Sequence, residues 1–169
     1  LKKNKKYKVK VIFCVPYTLI NLFSKKLKRS KLLIGAQNCH FSNKFGAFTG
    51  SINPKMVENS GAKYIIIGHS ENRLQGDTDD IINKKIQSSL KMKLKVIFCI
   101  GETLREKKRG FTNRVLNSQI TKGMKDIKKL SNIIIAYEPV WSIGTGIIPN
   151  DLELKKNIAF IRHKLKIKY

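Results

Sequence analysis

At 169 residues, 41 % hydrophobic and 27 % charged, the chain suits one globular domain over 1–169 with a substantial core and no linker. Thirty-five Lys and Arg against eleven Asp and Glu give a formal charge of +24, which raises nucleic acid or an anionic membrane as partners. Against both, the apolar stretches are too short to span a bilayer and no signal peptide opens the chain; the lysines scatter as "KKNKKYK", "KKLKRSK", "KMKLK" and "REKKR", without zinc-finger, helix-turn-helix or RNA-binding patterns.

The first expected element is a strand, "VKVIFCV" (9–15), followed by a helix in "YTLINLFSKKLK" with Leu19, Leu22, Phe23 and Leu27 on its apolar stripe. A second strand, "KLLIGAQ" (31–37), leads into "NCHFSNKFGAFTGSINP". That loop is long for its kind and exposes Phe41, Phe45 and Phe48, which favours burial against a partner. A third strand, "AKYIIIGH" (62–69), precedes a helix in "DTDDIINKKIQSSLKM", with Asp77 as its N-cap and acidic residues in its first turn. "LKVIFCIG" (94–101), a helix in "TNRVLNSQITKGMKDI", "NIIIAYE" (132–138) and a helix in "NDLELKKNIAFIRHKLK" complete the series. Nearly continuous apolar strands alternating with helices imply a parallel sheet buried on both faces. Periodicity leaves two architectures open, a doubly wound sheet or part of a (β/α) barrel.

In either architecture chemistry sits beyond the C-terminal ends of the strands. There the sequence places Gln37-Asn38, Gly68-His69-Ser70-Glu71, Gly101-Glu102 and Glu138, whereas the strand beginnings carry mainly lysines. His69 reads either as a polar cap or as a functional imidazole; "SENR" resembles a helix start whose backbone N–H groups face the ring and disfavour the imidazolium. Glu138 reads either as an ion-pair partner of a rim lysine or as a general base that loses solvation on leaving a buried strand. Glu71 and Glu102 read as supports that hold neighbouring cations and N–H groups. Pro139 stiffens the next segment, Gly144 and Gly146 loosen it, and Val140, Trp141 and Ile143 give it an apolar surface, a combination that reads as a lid. Bare N–H groups near Gly144 suit a phosphate. Cys14, Cys39 and Cys99 include no C-x-x-C pair, so they suggest neither disulfide nor metal site and fit a reducing cytoplasm.

"GAQN", "GAFTGSI", "AKYIIIGHSENR", "VIFCIGETLREKKRG" and "AYEPVWSIGTG", in this order and spacing, resemble the triosephosphate isomerase family over essentially the whole chain. The resemblance implies a (β/α)₈ barrel that interconverts dihydroxyacetone phosphate and D-glyceraldehyde 3-phosphate through an enediolate, in glycolysis and gluconeogenesis, with no cofactor or metal. It makes Glu138 the base and His69 the neutral electrophile. Pro139, Val140, Trp141, Ser142, Ile143, Gly144, Thr145 and Gly146 become the lid, with Gly144 on the substrate phosphate. It also implies a homodimer in which Thr49 tips a loop entering the second subunit. Rival readings are a non-catalytic barrel remnant and a basic protein that binds anions or nucleic acid.

The chain departs from the family pattern in several places. Its start, without Met and in a lysine-rich segment, reads as a cut made after the family's first strand with its Asn-x-Lys pair. The last two strands, with their Ser and Gly-Gly loops, would follow Tyr169. The expectation is an incomplete barrel of five parallel strands, second to sixth, inactive by itself. Ser51 and Asn72 replace a glutamate and an arginine that pair across the family interface, and Ile147 replaces a lysine at the far lid hinge.

Overall fold

The computed structural model describes residues 9–168; the lysine run of residues 2–8 lies outside them. Five strands, β1 (Ile12–Val15), β2 (Leu33–Ala36), β3 (Tyr64–Ile67), β4 (Lys95–Ile100) and β5 (Ile133–Tyr137), form one parallel sheet in the order β1-β2-β3-β4-β5. A doubly wound sheet reverses its strand order at a switch point. Here each strand pairs with the next in sequence, so the winding is that of a (β/α) barrel, seen as a five-stranded arc with β1 and β5 at its edges.

Each strand is shorter than its apolar run. The first and second expected strands begin at 9 and 31, but pairing starts near Leu33, whose N–H donates to the Val11 carbonyl at 3.0 Å. The helices are α1 (Tyr17–Lys26), α2 (Pro54–Asn59), α3 (Ser70–Leu74), α4 (Asp79–Lys91), α5 (Leu104–Lys108), α6 (Thr112–Gly123) and α7 (Asp151–Lys168). Three of them, α2, α3 and α5, have only five or six residues, too few for a helical period to stand out. Their signals are caps instead. The Asn53 side chain accepts from the Met56 N–H ahead of α2, and Thr103 and Glu106 form a reciprocal capping box ahead of α5.

Two helical expectations need correction. In α1 the buried residue is Ile20, with Phe23 and Leu27 partly buried beside it, while Leu19 and Leu22 are exposed. Both stripes satisfy helical spacing, and packing on the sheet selects the one through Ile20. Thr78, not Asp77, caps α4, accepting from the Ile81 N–H at 3.3 Å. Asp77 instead grips the buried Lys85 ammonium through both oxygens, at 2.8 and 2.6 Å.

The core lies between sheet and helices. Ile65, Ile67, Val96, Phe98 and Ile100 are closed off by Val57, Ile82, Ile86, Leu116 and Ile120. The last turn of α6 comes so near that a Cβ at Gly123 would lie 2.5 Å from the Phe98 ring. The strands are not buried equally on both faces. On the opposite, inner face the cross-strand row Ile66, Ile97, Ile134 is only partly covered, and Ile134 is 46 % exposed. One sheet face thus makes the core, and all five strand ends share one rim.

Candidate active site

β3 ends in a sharp turn at Gly68, with φ +79°, where a Cβ would sit 3.0 Å from the Cys99 carbonyl oxygen. Only glycine takes this backbone conformation without strain. Arg73 fastens the turn: its Nε donates to the Gly68 carbonyl at 2.9 Å, and its Nη1 pairs with Asp79 at 2.7 Å. His69 is therefore delivered to the rim as the N-cap of α3, and its Nδ1 accepts from the Glu71 backbone N–H at 3.4 Å. An accepting Nδ1 places the proton of a neutral ring on Nε2. That Nε2 lies 3.4 Å from Glu138 Oε2.

Glu138 arrives from the neighbouring edge. Its backbone N–H donates to the Ile100 carbonyl at 2.9 Å, extending the β4–β5 ladder by one residue. Its Oε1 accepts from the Ser70 N–H at the start of α3, at 2.8 Å. Gly101 makes this approach possible, and both of its backbone polar groups are held by the Gln119 amide, at 2.9 and 3.0 Å. Beneath the carboxylate lies Cys99, whose thiol is pushed up to about 12 by burial and then by the Glu138 charge. It remains a neutral thiol beside a carboxylate. His69 and Glu138 are partly buried, with side chains 29 % and 19 % exposed.

The two glutamates read as supports differ. Glu102 is fully buried and accepts from Trp141 Nε1 at 2.9 Å and from the Tyr137 hydroxyl at 3.1–3.2 Å. Burial and the Glu102 charge hold that phenol protonated, well above its ordinary range. The Glu71 side chain, in contrast, is 76 % exposed and 3.7 Å from His69 Nδ1. Its backbone N–H, rather than its carboxylate, meets the imidazole.

The segment read as a lid has a fixed root and a bare tip. The Val140 N–H donates to the Glu102 carbonyl at 3.0 Å, Val140–Ser142 forms a 3₁₀ turn, and Trp141 is buried. The Thr145 hydroxyl bonds back to the Trp141 carbonyl at 3.0 Å. Beyond the root, Ile143 to Ile148 are exposed. Gly144 and Gly146 take φ of +67° and +72°, with nothing within 4 Å of a Cβ at either. Thr49 stands apart from this rim cluster, exposed in its own loop. That loop packs on itself, with the His40 ring 4.2 Å from Phe41 and 4.4 Å from Phe48.

The sequence reading has the N–H groups that open "SENR" facing the imidazole; that of Glu71 does so, while that of Ser70 serves Glu138 instead. Sequence reasoning missed Gln119, Lys107 and Asn157, which meet Gly101, Trp141 and Tyr137 only through the packing of separate helices.

The family model described as triosephosphate isomerase matches residues 1–169. The chain is 42 % identical over 164 residues to the triosephosphate isomerase of Alkaliphilus metalliredigens, covering 95 % of this chain and 66 % of the relative. It is 42 % identical over 160 residues to that of Carboxydothermus hydrogenoformans, covering 93 % and 63 %. The chain thus spans a little under two thirds of the length of these relatives. In structure it resembles the crystal structure of triosephosphate isomerase from Bartonella henselae, with a TM-score of 0.88 at 36 % identity, covering 95 % of this chain and 65 % of the other.

Proposed function

The chain belongs to the triosephosphate isomerase family, and on that premise we propose that the native protein interconverts dihydroxyacetone phosphate and D-glyceraldehyde 3-phosphate. The observation that carries the reading is the approach of His69 Nε2 to Glu138 Oε2, 3.4 Å apart on the strand-end rim. A substrate carbon placed beside the carboxylate loses its proton to Glu138, and the electron pair of that C–H bond moves toward the carbonyl. His69 donates its Nε2 hydrogen to the carbonyl oxygen, so the developing enediolate charge meets a hydrogen-bond donor. Glu138 then returns the proton to the adjacent carbon while the hydroxyl proton is relocated through His69. The net change is an isomerisation with no gain or loss of electrons. Glu138 leaves the Ser70 N–H as it swings toward the carbon, which makes that N–H its resting anchor. The exposed glycine tip of 143–148 supports a closing role over the substrate phosphate, keeping water from the enediolate.

The self-packed loop around His40, with Phe45 65 % exposed and Thr49 near its tip, supports a homodimer in which this loop enters the other copy. A cytoplasmic location accords with free thiols at Cys14, Cys39 and Cys99. None of the described helices is long and apolar enough to cross a membrane. The test is isomerisation in D₂O by the protein expressed from its native gene, with NMR detection. Deuterium at the carbon that receives the proton is expected, because a single base exchanges with solvent between abstraction and return. Absence of isomerisation in the folded native product would sink the reading.

A further inference from the structure

The root of the lid segment is held in a closed circuit of polar contacts. Glu102 accepts from Trp141 Nε1 at 2.9 Å, and Lys107 Nζ sits 3.4 Å from the centroid of the same indole. Lys107 also donates to Glu153 Oε2 at 2.8 Å, in the first turn of α7. One turn further along α7, Asn157 donates to the Tyr137 hydroxyl at 2.8 Å, and that hydroxyl returns to Glu102. The indole is thus fixed at its N–H edge by an anion and on its face by a cation. The cation is itself tied to a helix outside the sheet.

We propose that Lys107 is a positioning residue that fixes the pivot of the lid: it holds the Trp141 ring so that the tip, 143–148, swings about a stationary root. Three features point the same way. Lys107 lies in a capped five-residue helix, so its backbone is set independently of the lid. Its side chain is 29 % exposed and faces a buried ring, where a cation–π contact is stronger than on an open surface. The tip is more open: Ile143 to Ile148 are exposed and a Cβ at Gly144 or Gly146 would meet nothing within 4 Å, although the Thr145 hydroxyl bonds back to the Trp141 carbonyl, at 3.0 Å. A fixed root beside an exposed tip concentrates motion into the glycines. The kinetic consequence rests on the isomerase reading; the clamp itself does not.

Trp141 is the only tryptophan in these 169 residues, and subtracting the emission of a Trp141→Phe variant of the native gene product leaves its signal, which reports the clamp without substrate. The native gene product is compared with its Lys107→Met and Lys107→Arg variants by acrylamide quenching and by steady-state kinetics. Met keeps the packing and removes the charge, whereas Arg keeps the charge. In Lys107→Met the quenching constant should rise, and kcat should fall by about two- to five-fold, the range set by a partly exposed cation–π contact, with a smaller change in KM. Lys107→Arg should restore both. If Lys107→Met fails to fold by circular dichroism, Glu153→Gln, which frees the lysine without touching the ring, should raise quenching to a lesser degree. Unchanged quenching in the folded variant, a rise that Arg does not reverse, or a rise with kcat untouched would each overturn the proposal. A native product without isomerase activity would reject the functional reading and leave the clamp to be decided by quenching alone.

Discussion

Gly101 and Glu138 approach so closely that a Cβ at position 101 would lie 1.9 Å from the Glu138 carbonyl oxygen. The obstacle is backbone, which cannot rotate away as a side-chain tip can. Gly101→Ala should therefore force β4 and β5 apart at the rim, costing about 3 kcal/mol or more and displacing the carboxylate. Urea unfolding should show a lower midpoint, and isomerase activity should fall with it. A variant of native stability would contradict the close packing of these two residues.

Glu138→Gln tests the base with little change in shape. The amide oxygen can still accept from the Ser70 N–H, now 2.8 Å from Oε1, so the thermal midpoint should be nearly unchanged. Turnover should drop by about 10²–10⁴-fold, the usual contribution of a general base, with binding of glycerol 3-phosphate retained. Full activity in a clean preparation would remove the assignment.

The Asp77–Lys85 pair predicts an asymmetry. Lys85 is 6 % exposed and held by Asp77 and by Asn38 Oδ1 at 3.1 Å. Asp77→Ala strands a buried ammonium and should cost about 3–5 kcal/mol, while replacing both partners by apolar residues costs less. Urea denaturation of Asp77→Ala and of Asp77→Leu/Lys85→Met should rank them in that order. A double variant no more stable than the single one would show that the pair is not isolated from its surroundings.

Alkaline pH should destabilise the fold through Cys99. Its thiol is raised from 9.0 to about 12 when folded, so above about pH 9 the unfolded chain binds fewer protons than the native one. Stability then falls as pH rises, by up to about 1.4 kcal/mol per pH unit for this group. Below pH 9 both states carry the thiol and the effect vanishes. Comparing native protein with Cys99→Val between pH 8 and 11 isolates the slope, because Cys39, raised to about 11, contributes to both. Parallel pH profiles would show that the Cys99 shift is absent.

Much of the secondary structure and part of the site were legible locally. Five apolar runs marked five strands because a strand with a buried face advertises itself in consecutive residues. His69 and Glu138 stood out as titratable residues just past such runs, and the structure brings them within 3.4 Å. Glycine spacing also marked the bend at 144 and 146. The sequence by itself determined these features, since each depends on residues only a few positions apart.

What required tertiary structure depends on residues far apart in the chain. Winding in one direction, rather than a switch, follows from which strands pair, and pairing energy is shared between segments with no mark on either alone. The face that α1 buries was settled by the sheet beneath it, because Leu19 and Ile20 satisfy helical spacing equally. Asp77 caps nothing because Lys85, two turns away, offers a stronger buried partner. Glu102 became the anchor of Trp141 across 39 positions and Ser70 the donor to Glu138 across 68. A carboxylate in a sequence carries its charge, but its burial and its partners are set only when distant elements close around it.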